Sequence, residues 1–323
     1  MRKVILSEDT KKDILENLLK RSPNSYGKFE ASVAAILADV KEKGDEAVFD
    51  YTKRFDGADI NAANIIVTKK EIDEAYSLVD KQLVEVIRKA LVNIREYHAK
   101  QKQYSWFDST PNGTILGQKV TPLNRVGVYV PGGKAAYPSS VLMNIIPAKV
   151  AGVSQIIMTT PPGKDGRVNP GTLVAANEAG VDVIYKVGGA QAIAAMAYGT
   201  DSIRKVDKIV GPGNIYVALA KKAVYGHVSI DSIAGPSEIL VIADETANPR
   251  YVAADLLSQA EHDEMASAIL ITTSEELADK VSKEIDSFVA ELSRSEIITK
   301  SLENYGYILI ARDIDEAVET ANE

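Results

Sequence analysis

Short β-rich runs alternate with helical patterns from about Thr114 onward, and this alternation constrains the fold more than any other feature. The runs are RVGVYV, QIIMTT, DVIYKV, KIVG, EILVIAD, SAILITT and YGYILIA. Helical patterns follow most of them, and Asn169-Pro170 and Asn248-Pro249 each offer an N-cap residue with proline at the first helical position. Strands that alternate with helices pair in parallel, so the sequence predicts an α/β protein with parallel sheets covered by helices.

The segment before Thr114 is predicted to be helical. One apolar stripe ends at Gly44, which has the position of a C-terminal stop, and its members are Val33, Ile36, Leu37 and Val40. Thr68 and Glu71 have the spacing of a capping box and therefore predict the start of another helix.

Composition excludes several classes of protein. The 323 residues are 46% hydrophobic and 25% charged, which is enough for two domains with cores of their own. The net charge of −8 and the absence of a dense basic cluster argue against nucleic acid as a partner. No apolar run is long enough for a membrane span or a secretory signal, so we expect a cytoplasmic protein. Without cysteine, these residues offer no disulfide, thiolate ligand or thiol nucleophile.

Four strand ends run into glycine turns: VPGGKAAYPSS (130–140), KVGGAQAIAA (186–195), IVGPGNIYVA (209–218) and SIAGPSEILV (232–241). In parallel sheets, ligands bind beyond the carboxyl ends of the strands, and glycine lets the backbone approach them closely. The alternative is that these glycines only close tight turns. Gly211-Pro212-Gly213 lacks the third small residue of the dinucleotide fingerprint, so the spacing leaves nucleotide binding open.

The helix after Asn248 carries a polar rim beside its apolar face. At 100° per residue, Asp255, Gln259 and His262 fall together at i, i+4 and i+7. An imidazole one turn from another donor can share a metal ion with it, but an amide oxygen is an uncommon zinc ligand. Spacing alone favours the alternative, a histidine that is hydrogen-bonded at a domain edge, because two candidate ligands do not close a site.

Six segments, in this order, resemble histidinol dehydrogenase: RVGVYVPGG, VLMNIIPAKVAGV, GGAQAIAAMAYGT, KIVGPGN, IDSIAGPSEILVIAD and ADLLSQAEHD. The resemblance runs from about Ile94 to about residue 310 and is weaker in the N-terminal helices. It implies a zinc- and NAD-dependent homodimer of interleaved subunits that oxidises L-histidinol to L-histidine through the aldehyde, the last step of histidine biosynthesis. It also implies two incomplete Rossmann-like domains, which agrees with the missing fingerprint.

The resemblance also implies roles for individual residues. The positions that match NAD contacts are Tyr129, Gln191 and Asn214. Ser237 matches a substrate contact, while Gln259 and His262 match two ligands of a zinc ion (Zn²⁺) that also lie against the substrate. The zinc ion is expected to hold the amino and imidazole nitrogens of histidinol.

On this template we expect three parts. Residues 1–25 form an N-terminal helical arm, and residues 26–125 together with 238–323 form a first, discontinuous α/β domain whose C-terminal part is truncated. Residues 126–237 form a second α/β domain that binds NAD.

The family's catalytic Glu-His pair and its two remaining zinc ligands have no counterpart in residues 1–323. We therefore expect this polypeptide alone to have little dehydrogenase activity and to bind zinc weakly. Three alternatives stay open. One is a two-lobed small-molecule binding protein, and another is a degenerate or truncated homologue that retains only nucleotide or small-molecule binding. The third, a general aldehyde dehydrogenase, is disfavoured by the absence of cysteine.

Overall fold

The computed structural model describes residues 1–19, 27–132, 138–233 and 238–323. The chain divides into two compact units, a smaller one of Met1–Tyr26 with Gly235–Glu323 and a larger one of Gly27–Ala234. Within the described ranges, no helix is both long enough and apolar enough to cross a lipid bilayer.

The elements follow one another along the chain in the order β1 (Arg2–Ile5), α1 (Glu8–Leu19), α2 (Gly27–Lys43), α3 (Asp45–Asp56), α4 (Lys69–Leu78), α5 (Lys81–Ala99), β2 (Trp106–Ser109), β3 (Ile115–Gln118), β4 (Arg125–Tyr129), α6 (Pro138–Ala151), β5 (Gln155–Thr159), α7 (Pro170–Ala179), β6 (Val183–Tyr185), α8 (Gly189–Tyr198), β7 (Lys208–Val210), α9 (Ile215–Val224), β8 (Ser229–Ile230), β9 (Glu238–Ala243), α10 (Pro249–Ala260), β10 (Ser267–Thr272), α11 (Glu275–Glu291), α12 (Ser295–Tyr305), β11 (Gly306–Ile310) and α13 (Ile314–Asn322).

The larger unit is built on a parallel sheet with the strand order β6-β5-β4-β7-β8. The chain leaves β4 toward one edge of the sheet and then returns through α8 to β7 on the other side of β4. The boundary between β4 and β7 is therefore the topological switch point at which ligands bind in doubly wound sheets.

The two faces of this sheet are covered by different helices. Val126 and Val128 belong to a core shared with residues of α5, α6 and α7. The intervening β4 residues point the other way, because side chains alternate along a strand. Accordingly, a Cβ added at Gly127 would lie 2.5 Å from Met196 Sδ of α8. Both faces are covered, which explains why β4 and β5 are apolar almost throughout.

The smaller unit has a parallel sheet of its own in the order β1-β11-β10-β9. Strand β10 is buried along its whole length, as its sequence SAILIT suggests. The predicted α/β class with parallel sheets is therefore confirmed in each unit.

The predicted helix starts and stops are confirmed where they depend on local hydrogen bonds. Asn169 and Asn248 cap α7 and α10, and Thr68 and Glu71 form both bonds of a capping box at α4. Helix α2 ends one residue before Gly44, which has a φ of +57°. The predicted stripe of α2 is buried, including Val33 and Val40.

The predicted domain boundaries differ from the observed units. Residues 27–125 cluster with 126–234 and not with 238–323. One reason is that the segment before α4 extends the larger sheet: the Val67 N–H donates to Ile184 O at 2.9 Å, and the Lys186 N–H donates to Ile65 O at 2.8 Å. Residues 1–19 do not form a separate helical arm, because β1 pairs with β11 in the smaller sheet.

Candidate functional site

Tyr129 ends β4 at the switch point of the larger sheet. Its side chain is buried, and its hydroxyl oxygen accepts a hydrogen bond of 3.2 Å from the N–H of Gly189, the first residue of α8. Burial raises the pKa of Tyr129 to about 12. The phenol is therefore neutral near pH 7 and offers a polar hydroxyl, not a charge.

Gln191 lies in the first turn of α8 and is only 1% exposed. Among the residues that the structure describes, neither its amide nitrogen nor its amide oxygen has a hydrogen-bond partner. Gly189 has a φ of +65°, and a Cβ there would lie 2.5 Å from the amide oxygen of Gln191. Burying an amide without partners costs roughly 1–3 kcal/mol, so this group is better suited to a ligand than to a core.

The turn after β7 brings Asn214 to the same end of the sheet. Gly211 has a φ of +117°, and a Cβ there would lie 2.1 Å from the carbonyl oxygen of Tyr129, so only glycine fits. Asn214 is exposed and caps α9, where its side-chain oxygen accepts from the N–H groups of Tyr216 at 3.1 Å and Val217 at 3.2 Å. The structure thus places the turn that leads to Asn214 beside the backbone of Tyr129.

Asp56, the last residue of α3, is a half-buried acidic residue that the sequence reasoning missed. Its Oδ2 is buried and has no hydrogen-bond partner in the described part of the chain, and burial raises the pKa of Asp56 to about 6. Its negative charge contributes to the raised pKa of Tyr129. One signal was available in the sequence: an aspartate just before Gly57 opposes the dipole at a helix C-terminus, where cations are preferred.

A cleft of about 490 Å³ opens at the carboxyl ends of β4 and β5. Its wall combines apolar surface with groups of both charges, and it includes Glu71, Gly132, Thr160, Pro161, Arg167 and Thr172. A Cβ added at Gly132 would lie 2.6 Å from Pro161, and a Cβ added at Gly188 would lie 2.5 Å from the same proline. The turns that follow β4, β5 and β6 therefore pack together here. The cleft is large enough for part of a nucleotide-sized ligand.

The predicted rim of α10 is only partly correct. The apolar face is buried as expected, but the helix ends at Ala260, so His262 lies in the following turn and not at i+7 of a helix. The physical reason is that the His262 N–H donates to the carbonyl of Gln259 at 3.1 Å, in the tighter hydrogen-bond pattern of a last turn. Gln259 is half-buried and His262 is exposed.

The fit of Gln259 and His262 to a metal ion can be judged from their donors. Neither side chain makes a hydrogen bond with the described part of the chain, so an amide oxygen and an imidazole nitrogen are free three residues apart. Two donors supply half of a tetrahedral zinc site. Among the described residues, no group of three or more His, Cys, Asp or Glu side chains comes together to hold a metal ion.

The predicted residue Ser237 lies outside the described residues, as do residues 133–137 of the glycine turn that follows β4. The other candidates are distributed between the units. Tyr129, Gln191 and Asn214 lie in the larger unit, and Gln259 and His262 lie in the smaller one.

The fold and the unpartnered amide at the strand ends define an α/β protein with a candidate small-molecule site at a topological switch point. A family model described as histidinol dehydrogenase matches residues 19–323. The chain belongs to the histidinol dehydrogenase family.

Individual relatives agree with this family. The chain is 58% identical over 307 residues to histidinol dehydrogenase from Heliobacterium mobile, covering 95% of this chain and 72% of the relative. It is 58% identical over 291 residues to that of Bacillus subtilis (strain 168), covering 90% of this chain and 68% of the relative. A crystal structure of histidinol dehydrogenase from Elizabethkingia anophelis matches with a TM-score of 0.91 at 38% identity, covering 100% of this chain and 73% of that one.

Proposed function

We propose that this protein oxidises L-histidinol to L-histidine through the aldehyde, with NAD as the hydride acceptor in both steps. Family membership supports the reaction, and the observation that carries the site is the buried, unpartnered amide of Gln191 at the end of the larger parallel sheet. It follows that the larger unit binds the cofactor.

The residues around Tyr129 would bind NAD by neutral hydrogen bonds. A primary amide presents both donors and an acceptor, which suits the carboxamide and hydroxyl groups of a dinucleotide. Tyr129 keeps its proton near pH 7 because burial raises its pKa to about 12. Asn214 already uses its side-chain oxygen to cap α9, so its amide nitrogen is the group it offers to a ligand.

Gln259 and His262 are the residues that would hold zinc, with further ligands supplied from outside this pair, and Ser237 would contact the substrate. Bound zinc would supply a Lewis acid that orients the amino alcohol. His262 would bind the metal through an imidazole nitrogen, the commonest metal ligand among protein side chains.

The second oxidation requires a tetrahedral adduct of the aldehyde. These 323 residues contain no cysteine, so we propose that water, activated by a general base, forms the adduct in place of a thiolate. No residue of 1–323 is assigned as that base.

The β2–β3 hairpin supports a homodimer. It pairs with no other strand of the described chain, and its side chains are exposed, including Trp106 at 56%, Phe107 at 66% and Ile115 at 69%. A lone two-stranded hairpin is marginally stable in water, and exposed apolar patches mark interfaces. We propose that a second subunit covers it.

The test uses the full-length, zinc-loaded protein with histidinol and NAD, and follows NADH formation. The expected result is two NADH per histidinol, with histidine as the product. NAD binding without turnover would favour the alternative of a homologue that retains only nucleotide binding. No response to either ligand would contradict both.

Zinc content provides a readout that does not depend on turnover. Replacing His262 with alanine should lower the zinc retained after dialysis. The matched control is Glu261→Ala, which removes the neighbouring side chain and should leave the metal in place. Equal zinc in both variants would remove His262 from the proposed ligand set.

A further inference from the structure

Lys221 is a buried lysine on α9 that the proposed reaction does not use. Its side chain is only 3% exposed, it forms an ion pair with Asp231, and its ammonium group donates to the carbonyl of Gly211 at 2.9 Å. Asp231 in turn accepts the Gly211 N–H at 2.8 Å. A single ion pair therefore binds both backbone groups of Gly211.

The two bonds to Gly211 restrain a residue that is already in close contact with the end of β4. It follows β7, and the space for any side chain is taken by the carbonyl oxygen of Tyr129. The turn from Gly211 to Asn214 then leads directly into α9, the helix that carries Lys221. Anchoring Gly211 consequently fixes Asn214 relative to the end of β4.

The turn has other anchors besides this ion pair. Asn214 already caps α9, and β7 already pairs with β4. A lysine is almost never fully buried without a specific partner, because taking its charge out of water is costly. Here the charged groups bind the backbone of one loop residue, Gly211, next to the candidate cofactor site.

We propose that Lys221 and Asp231 are positioning residues that hold the Gly211–Asn214 turn against the end of β4, so that the dinucleotide meets a preformed site. This inference rests on the proposed function. Neither residue is assigned a contact with the substrate or with the cofactor.

The experiment uses the full-length enzyme with Lys221→Met, Asp231→Asn and the double variant. The matched control is Lys222→Met, which removes the adjacent, more exposed lysine that pairs with Glu30 at 3.5 Å. The KM for NAD should rise by roughly tenfold or more in both single variants, since a shift of about 1 Å in a binding group can cost up to a hundredfold. The kcat and the KM for histidinol should change by less than about twofold, because only uniform binding of the cofactor is lost.

The double variant separates positioning from folding. It carries no unpaired buried charge, so its Tm should recover toward wild type while its KM for NAD stays raised. A double variant in which both values recover would overturn the proposal. A single variant with a lower Tm and an unchanged KM for NAD would also overturn it, because the pair would then serve stability only.

Hydrogen exchange gives a readout that is independent of the reaction. The peptide that contains Gly211 should exchange faster in Lys221→Met and Asp231→Asn than in wild type or Lys222→Met, and equal exchange in all four would overturn the proposal. Failure of the proposed function would look different, because the wild-type enzyme itself would not reduce NAD with histidinol.

Discussion

Replacing Gly211 with alanine should be among the most destabilising single-methyl changes in the larger unit. The backbone has a φ of +117°, and the new Cβ would lie 2.1 Å from the carbonyl oxygen of Tyr129 and 3.0 Å from its carbonyl carbon. These atoms are backbone at the end of β4, where the sheet limits their movement. The overlap can be relieved only by moving the turn or the strand end.

The size of the effect follows from two contributions. Forcing a non-glycine residue into this region of φ costs roughly 1–3 kcal/mol. Moving the turn also weakens the bonds of Gly211 to Asp231 and Lys221, each worth roughly 1–3 kcal/mol because a charged group is involved. If both bonds are lost, we expect a total loss of about 3–9 kcal/mol, and Tm should fall by roughly 2–4 °C for each kcal/mol in a unit of this size.

Gly226→Ala is the matched control. Gly226 has a φ of +95°, but a Cβ there would meet nothing within 4 Å, so this variant carries the strain of φ without the overlap. Calorimetry and urea unfolding of both variants measure the difference. If Gly211→Ala lay within about 1 kcal/mol of Gly226→Ala, the claim that Tyr129 and Gly211 are in fixed contact would be refuted.

Three further predictions concern the site and the interface. Gln191→Leu should leave the ligand-free protein at least as stable as wild type, with a gain of up to about 2 kcal/mol in the free energy of unfolding. Its affinity for NAD, measured by calorimetry, should fall at least about tenfold. Lower stability with unchanged affinity would contradict the role proposed for the amide. Asp56→Asn should stabilise the protein at pH 8, because burial raises the pKa of Asp56 from 3.8 to about 6 and the ionised carboxylate disfavours the folded state. After solvent screening the gain should be about 1–2 kcal/mol, and it should disappear as the pH falls below about 4, since aspartate is then protonated in both states; urea unfolding at the two pH values checks this. Trp106→Ser with Phe107→Ser should convert a dimer to monomers in light scattering, whereas Tyr225→Ser, which removes another side chain that is 67% exposed, should not.

Local chemistry made much of the fold predictable. Asparagine before proline, the spacing of Thr68 and Glu71, and apolar runs of strand length all act over a few residues, and each produced the expected element. Gln191 was predicted as a site residue through family resemblance. The sequence could not show that its amide is left without a partner, because that depends on side chains distant in the chain.

The errors arose where the outcome depends on long-range packing or on fine competition at a helix end. Glu261 and His262 continue a helical pattern in the sequence, yet α10 ends at Ala260. No glycine or proline at this point indicates a helix end. Residues 27–125 belong to the larger unit. Backbone hydrogen bonds of Ile65 and Val67 join them to the segment around β6, more than a hundred residues away in the sequence. Periodicity carries no information about such pairings.

The partnership of β1 with β11 has a consequence for how the chain reaches its native state. Arg2 lies opposite Tyr307, so β1 must wait until β11 has been synthesised before its neighbour in the sheet exists. Residues 27–234 can complete their own sheet during that interval. Synthesis therefore passes through a stage in which the larger unit is finished while β1 still has an open edge, and this is the stage at which chaperone protection should matter most.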